Sequence, residues 1–380
     1  MHKGNAITLI YCRPKSKLYL IGAIGLVVSP ILANYSFFSQ ISIGDMLIFI
    51  FTPLLLGRIV FTPLTIINII LSALIILCSY FLLNGPDIYA GIYRAAFYYL
   101  FFMIIISSKD LKLPYFAKLY GGMVIIASLA VIFQWVAYTL FSKAIYLDLP
   151  MERYEPDALV VLDHTFRGGG LFREPSYFAL YVMPYFIYSV FRRNIFHLFI
   201  ISMAGILSTS TLMFFLILMA LLIYLGLNLR LIYAGMVGIL ILSTLAILFS
   251  SGLFDGYAFV DKVSLIFTDG GTLNERFLPI FTIIGMSDSV MPSTQVLDFY
   301  LSANSWFNSA VSIVVYFGIG GLALLVLNIL RINFIISTVF LVLVFSTHFL
   351  SSCFSIFIAI AFMVMGSSMS IMHSHKNSLT

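Results

Sequence analysis

The chain has 380 residues, of which 62% are hydrophobic and only 9% charged, with a formal net charge of +5. Soluble domains carry about 25% charged residues, so this composition excludes an ordinary water-soluble core. The excess of base is scattered in short gaps between apolar runs and forms no basic stripe, which excludes a nucleic-acid partner and leaves membrane lipids as the bulk environment.

A membrane-crossing helix needs roughly 20 mostly apolar residues. Apolar runs bounded by polar punctuation predict helices near 18–38, 43–60, 63–83, 91–107, 115–141, 176–190, 195–209, 212–228, 231–249, 306–328, 333–350 and 353–372. The expected fold class is therefore an all-α polytopic membrane protein with about 12 transmembrane helices, in a single transmembrane domain over 1–380. The first helix follows a basic start and lacks an obvious small-residue cleavage site, so it reads as retained. The three cysteines, Cys12, Cys78 and Cys353, do not suggest a disulfide framework.

If the amino terminus lies inside and the helices alternate, the inside segments hold Lys3, Arg13, Lys15, Lys17, Arg58, Lys109, Lys112, Arg192, Arg193, Arg230, Arg331 and Lys376. Lysine and arginine bias sets orientation, so both termini are expected in the cytoplasm. Nearly all acidic residues then fall outside. Two stretches interrupt the apolar rhythm and are expected as large outer loops, 142–175 and 250–305.

The densest chemical signal is Arg167-Gly168-Gly169-Gly170-Leu171-Phe172-Arg173-Glu174-Pro175-Ser176. Glycines let backbone approach a ligand closely, and two guanidinium groups match phosphate oxygens. Pro175-Ser176 can open a helix whose positive end adds to the same spot. The same residues also read as a glycine turn before a capped helix, with solvated or lipid-bound arginines. The second signal is Thr272-Leu273-Asn274-Glu275-Arg276-Phe277, and then Ser302-Ala303-Asn304-Ser305-Trp306-Phe307-Asn308 running into a helix. Arg276 is a candidate second phosphate clamp, or an ion-pair partner of Glu275 or Asp269. Trp306 offers a flat face to a sugar ring, or belongs to an interfacial aromatic belt. His164 is the one histidine within the two outer loops.

The sequence holds no HExxH, CxxC, GxxxxGK[ST] or DxD motif, so metal hydrolysis, thiol redox chemistry, ATP use and metal-bound sugar-nucleotide transfer find no support in it. No metal and no cofactor are expected, and a donor must arrive already activated.

At Arg167 to Ser176 the sequence resembles the bacterial O-antigen and capsular polysaccharide polymerases of the Wzy type, within the O-antigen ligase superfamily. There an arginine, glycine, an aromatic residue and Glu-Pro-Ser lead into a helix after a large outer loop. The layout is similar over most of the chain, including Asn-Ser-Trp-Phe-Asn before Gly318-Ile319-Gly320-Gly321. The resemblance implies a metal-independent glycosyltransferase of the multi-pass type C class. It would move a growing glycan from undecaprenyl pyrophosphate to the sugar of an incoming lipid-linked repeat unit. Arg167, Arg173 and Arg276 would stabilise the departing pyrophosphate and Glu174 would accept the acceptor's proton, with His164 and Asp298 as the other candidates for that task. Gly169, Gly170, Ser176, Asn304, Trp306 and His164 would contact substrate. Related ligases commonly carry a histidine where this chain has Ser302-Ala303-Asn304, so either another residue takes the proton or Asn304 only orients the acceptor. A chain-length regulator and a flippase are the further expected partners. The alternatives are an O-antigen ligase, and a lipid-linked oligosaccharide flippase or transporter. The latter should place ionisable groups at mid-bilayer, whereas Asp45 and Arg94 fall near helix ends.

Overall fold

The computed structural model describes residues 16–38, 41–56, 61–83, 89–108, 111, 113, 115–142, 144–145, 147, 149–152, 168–228, 272–286, 290–302, 307–350 and 352–377. These are mostly α-helical and fall into two compact units. The first is built from Met1–Ser29, Asp45–Pro114 and Asp269–Thr380, the second from Pro30–Gly44 and Tyr115–Thr268.

The first unit contains α1 (Ser16–Val28), α2 (Ile43–Leu56, from Asp45 onward), α3 (Pro63–Leu82) and α4 (Tyr89–Ser107). It continues with α9 (Thr272–Met286), α10 (Thr294–Ser302), α11 (Ser309–Ile329), α12 (Phe334–Ser346) and α13 (Cys353–Asn377). Helix α11 packs on α3, α4, α9, α10 and α12, and α13 packs on α4. The second unit holds α5 (Phe116–Phe141), α6 (Pro175–Arg192), α7 (Ile195–Leu207) and α8 (Thr211–Asn228). Here α5 and α8 each pack against both α6 and α7. A small antiparallel pair, β1 (Ser36–Phe38) with β2 (Ile41–Ser42), completes this unit.

Helix α3 shows which solvent the fold expects. Its buried residues are polar, Thr65, Asn68, Ser72 and Ser79, spaced so that they share one face. Its exposed residues include Leu64, Ile66, Ile67, Ile70, Leu71, Leu74, Leu77 and Phe81. A helix facing water would reverse that arrangement. Inside, Thr65 donates to the Ser107 carbonyl at 2.9 Å and Asn68 exchanges side-chain amide hydrogen bonds with Asn328 of α11. Among the described residues Pro63–Leu82, Phe116–Phe141 and Ser309–Ile329 are long and apolar enough to cross a membrane by length and composition, with several shorter apolar helices beside them. The chain is thus compatible with an all-α membrane protein.

Helix starts follow local chemistry. Thr62 and Thr65 form a reciprocal capping box with Pro63 in the first turn of α3. Asn194, Asn308 and Asn333 accept backbone N–H bonds at the starts of α7, α11 and α12.

One expectation is corrected, and a second gains detail. The helix expected over 18–38 ends at Val28, because Pro30 has no N–H to continue it. The chain then makes a 3-10 turn, Leu32–Asn34, and the strand Ser36–Phe38. The stretch 250–305, expected as a loop, carries α9 and α10, which bury Ile280 and Ile283 and then Val296 and Leu297. The helix expected at 231–249 lies outside the described residues.

Helix α11 is broken inside. Gly318 has φ 70° and ψ 179°, a region essentially reserved for glycine. It lies roughly 14 Å along the axis from Ser309 at 1.5 Å per residue. The linker between α9 and α10 docks there: the Val290 carbonyl accepts the Gly320 N–H at 3.0 Å. Tyr99 donates to the Gly321 carbonyl at 2.9 Å. A Cβ on Gly318 would stand 2.3 Å from the Val290 oxygen. Gly318→Ala is therefore expected to destabilise the protein by about 2–4 kcal/mol through strain and clash together. A thermal melt in detergent checks this, and a melt equal to that of the unaltered protein would refute the account of the break.

Candidate functional site

The glycine motif forms a strap between α5 and α6 in the second unit. The glycines at 168–170 are buried. Gly170 has φ +67°, and a Cβ there would meet Val131 Cγ2 at 2.8 Å and the Ala127 carbonyl at 3.0 Å. No other residue type lets the backbone lie that close to α5. A Cβ on Gly169 would stand 2.3 Å from the Phe172 carbonyl oxygen.

One side chain of α5 holds the strap. The Gly170 N–H donates to Gln134 Oε1 at 2.8 Å, and Gln134 Nε2 donates back to the Gly170 carbonyl at 3.2 Å. Gln134 is itself buried and lies roughly 10 Å below the end of α5, at 1.5 Å per residue. The strap therefore runs down against the interior of the unit. The Phe172 N–H then closes a turn onto the Gly169 carbonyl at 3.1 Å. The Phe172 ring is buried against Tyr181 of α6, with centroids 4.9 Å apart.

Arg173 and Glu174 follow at once, each partly exposed. Glu174 takes the N-cap position of α6 with extended backbone, and Pro175 stands in the first turn. The Glu174 carboxylate makes no capping bond and instead accepts from Ser176 Oγ at 3.0 Å. A guanidinium, a carboxylate and the positive end of an 18-residue helix thus occupy consecutive positions. That set can attract an anion and offers a base beside it. Arg173, Glu174, Gly169, Gly170 and Ser176 are accordingly brought together.

Other candidates are not placed. Arg167, His164, Asn304 and Trp306 lie outside the described residues. Arg276 sits in α9, with its side chain outside the described set. Asp298 is exposed on α10. Among the described residues no group of three or more His, Cys, Asp or Glu is arranged to hold a metal ion.

The first unit contains an ion pair. Arg94 of α4 donates to Asp45 Oδ2 of α2 at 2.9 Å, with the Asp45 side chain 3% exposed and that of Arg94 34% exposed. Tyr98, one turn further along α4, donates to Asp45 Oδ1. Because Arg94 is a third exposed, solvent screening lowers the cost of removing one partner below the about 3–5 kcal/mol typical of fully buried pairs. The sequence offers both residues singly but not their pairing. It also offers Gln134 as a lone amide in the apolar run 115–141, a polar intruder that the motif reading passed over.

Gln134→Leu would leave the buried N–H and carbonyl of Gly170 without that partner, at about 1–3 kcal/mol per group. The variant is expected to fold with a loosened strap, and Gly170→Ala to behave likewise. Hydrogen exchange at the amides of 169–172 should rise about tenfold or more, which is the factor that 1.4 kcal/mol of local opening would produce. Unchanged exchange in both variants would mean that Gln134 does not hold the strap. Comparison of the chain with protein-family models, with curated proteins and with solved structures finds no match.

Proposed function

We propose that the protein is a polysaccharide repeat-unit polymerase of the O-antigen and capsule type. It transfers glycan from undecaprenyl pyrophosphate to the sugar of an incoming lipid-linked repeat unit. The observation that carries this reading is the strap: a resembling motif that places Arg173 and Glu174 on the N-terminus of α6, pinned by Gln134. In the reaction the bond between the donor's anomeric carbon and the pyrophosphate oxygen breaks, and a glycosidic bond to the acceptor oxygen forms. Arg173 and Arg167 neutralise the charge gathering on the leaving diphosphate, and Arg276 is a further residue on which the reaction depends. Fixed donors of this kind contribute several kcal/mol when preorganised. Glu174 takes the proton from the attacking hydroxyl, and Ser176 orients its carboxylate. No metal or nucleotide enters the scheme.

The proposal includes about twelve crossings, both termini in the cytoplasm of a bacterial plasma membrane, and chemistry on the outer face. A ligase that hands finished glycan to a different acceptor uses the same chemistry and is the nearest alternative. A flippase is less favoured because the Asp45 and Arg94 pair sits in the first turn of α2 and the second turn of α4, away from the middle of either helix.

Gene deletion followed by complementation tests the reading. Arg173→Ala, Glu174→Ala, Arg167→Ala and Arg276→Ala are each expected to lower polymerisation by about 100-fold or more. Single repeat units should replace the ladder on gels. A ligase would instead leave long glycan on the carrier lipid, and a flippase would leave lipid-linked units on the cytoplasmic face. Full ladders from all four variants at normal protein levels would end the proposal. Reporter fusions at both termini should read as cytoplasmic, and a reporter active on the outer face at either end would overturn the topology.

A further inference from the structure

The linker before α10 reaches the middle of a membrane-length helix. Its Val290 carbonyl accepts the Gly320 N–H at 3.0 Å, and a Cβ on Gly318 would meet the Met291 carbonyl carbon at 2.7 Å. Pro292 is buried there, and Ser293 caps α10, its Oγ accepting the Val296 N–H at 3.3 Å. From this tip α10 runs back beside the first half of α11. Tyr300, near its far end, has its hydroxyl 3.5 Å from Ser312 Oγ and its ring 6.1 Å from that of Tyr316.

Two lengths agree with that path. The 9 residues of α10 span about 14 Å at 1.5 Å per residue, and Ser309 to Gly318 spans the same. Ser309–Ile329 is one of the helices long and apolar enough to cross a membrane. The tip therefore sits near the middle of that span and Ser302 near its Ser309 end. The α9 and α10 pair enters and returns on one side.

The outward face of α10 identifies the solvent beside it. Val296 and Leu297 are buried, while Thr294, Gln295, Asp298 and Ser302 are exposed. Thr294, Asp298 and Ser302 recur every fourth residue and so line one face. Leu301 is the exposed large apolar residue of α10, and Val290 and Met291 form an apolar end to the polar stripe at the tip. Helix α3 of the same unit does the reverse, burying its polar residues and turning Ile70, Leu74 and Leu77 outward. Two outward faces of opposite polarity cannot suit the same solvent. A carboxyl group within a span faces a bundle interior or a water-filled cavity. Irregular backbone at such depth is tolerated only when it is buried in protein or borders water.

We propose that α9 and α10 form a re-entrant hairpin, and that Thr294, Gln295, Asp298 and Ser302 line a water-filled vestibule. It reaches from the Ser309 end of the first unit to the break in α11. Its occupant is water and, through it, small hydrophilic solutes, because a lipid chain offers these side chains no hydrogen bond. The backbone contact of the tip with Gly318 and Gly320 closes it below. The side to which it opens rests on the topology proposed above, with Ser309 at the outer face, whereas the vestibule itself does not.

Single cysteines at Thr294, Gln295 and Ser302 of the full chain test this in sealed membrane vesicles of either orientation. Labelling is counted above that of the unaltered protein. Thiols react as thiolates, which need water. With a small charged methanethiosulfonate, Thr294→Cys and Gln295→Cys should react about tenfold or more faster than Leu74→Cys on the apolar face of α3. A maleimide on a long polyethylene glycol chain should reach Ser302→Cys and not Thr294→Cys. The inference falls if Thr294→Cys and Gln295→Cys, at normal protein levels, react no faster than Leu74→Cys. It falls equally if the long reagent labels Thr294→Cys as fast as Ser302→Cys, since the hairpin would then stand in open water. Labelling of Thr294→Cys by the small reagent from both faces would also overturn it. Labelling from the cytoplasmic face alone would uphold the vestibule and overturn the topology.

Discussion

A backbone amide or carbonyl buried in an apolar environment must find a partner, and this chain is organised around that demand. Unbroken helices meet it internally. At three of the described interruptions the partner comes from a distant part of the sequence. Gln134 serves both backbone groups of Gly170. The Val290 carbonyl and the Tyr99 hydroxyl serve the break near Gly318, and Ser309 serves the turn at 347–350. In lipid an unpaired group costs several kcal/mol, so non-helical backbone persists only where such a partner exists. Those are also the places where polar chemistry collects.

The two units treat charge differently. In the first, Arg94 is matched by a buried carboxylate that also accepts from Tyr98. In the second, Arg173 stands at the positive end of a helix, beside Glu174.

Much of the fold can be read from the chain. Helix positions follow the apolar runs, and several starts carry their own signal, such as Thr62-Pro63, Asn308 and Glu174-Pro175. The short helices α9 and α10 are harder to see, because Pro279 and interleaved polar residues dilute their apolar pattern. The end of α1 is legible in retrospect from Pro30. The glycine motif announces close backbone approach, but not what it approaches. The partner is a glutamine 36 residues away on another helix. Asp45 and Arg94 are 49 residues apart, so their meeting depends on packing and has no local trace.

Helix α3 carries two separable messages on one cylinder. Its outward leucines and isoleucines are what insertion machinery reads, since a translocon responds chiefly to overall transfer energy. Thr65, Asn68 and Ser72 are silent at that stage and speak only once neighbouring helices arrive. Substitutions on the two sides can therefore drift independently, with lipid-facing change tuning delivery to the bilayer and inward change tuning the order in which helices find one another.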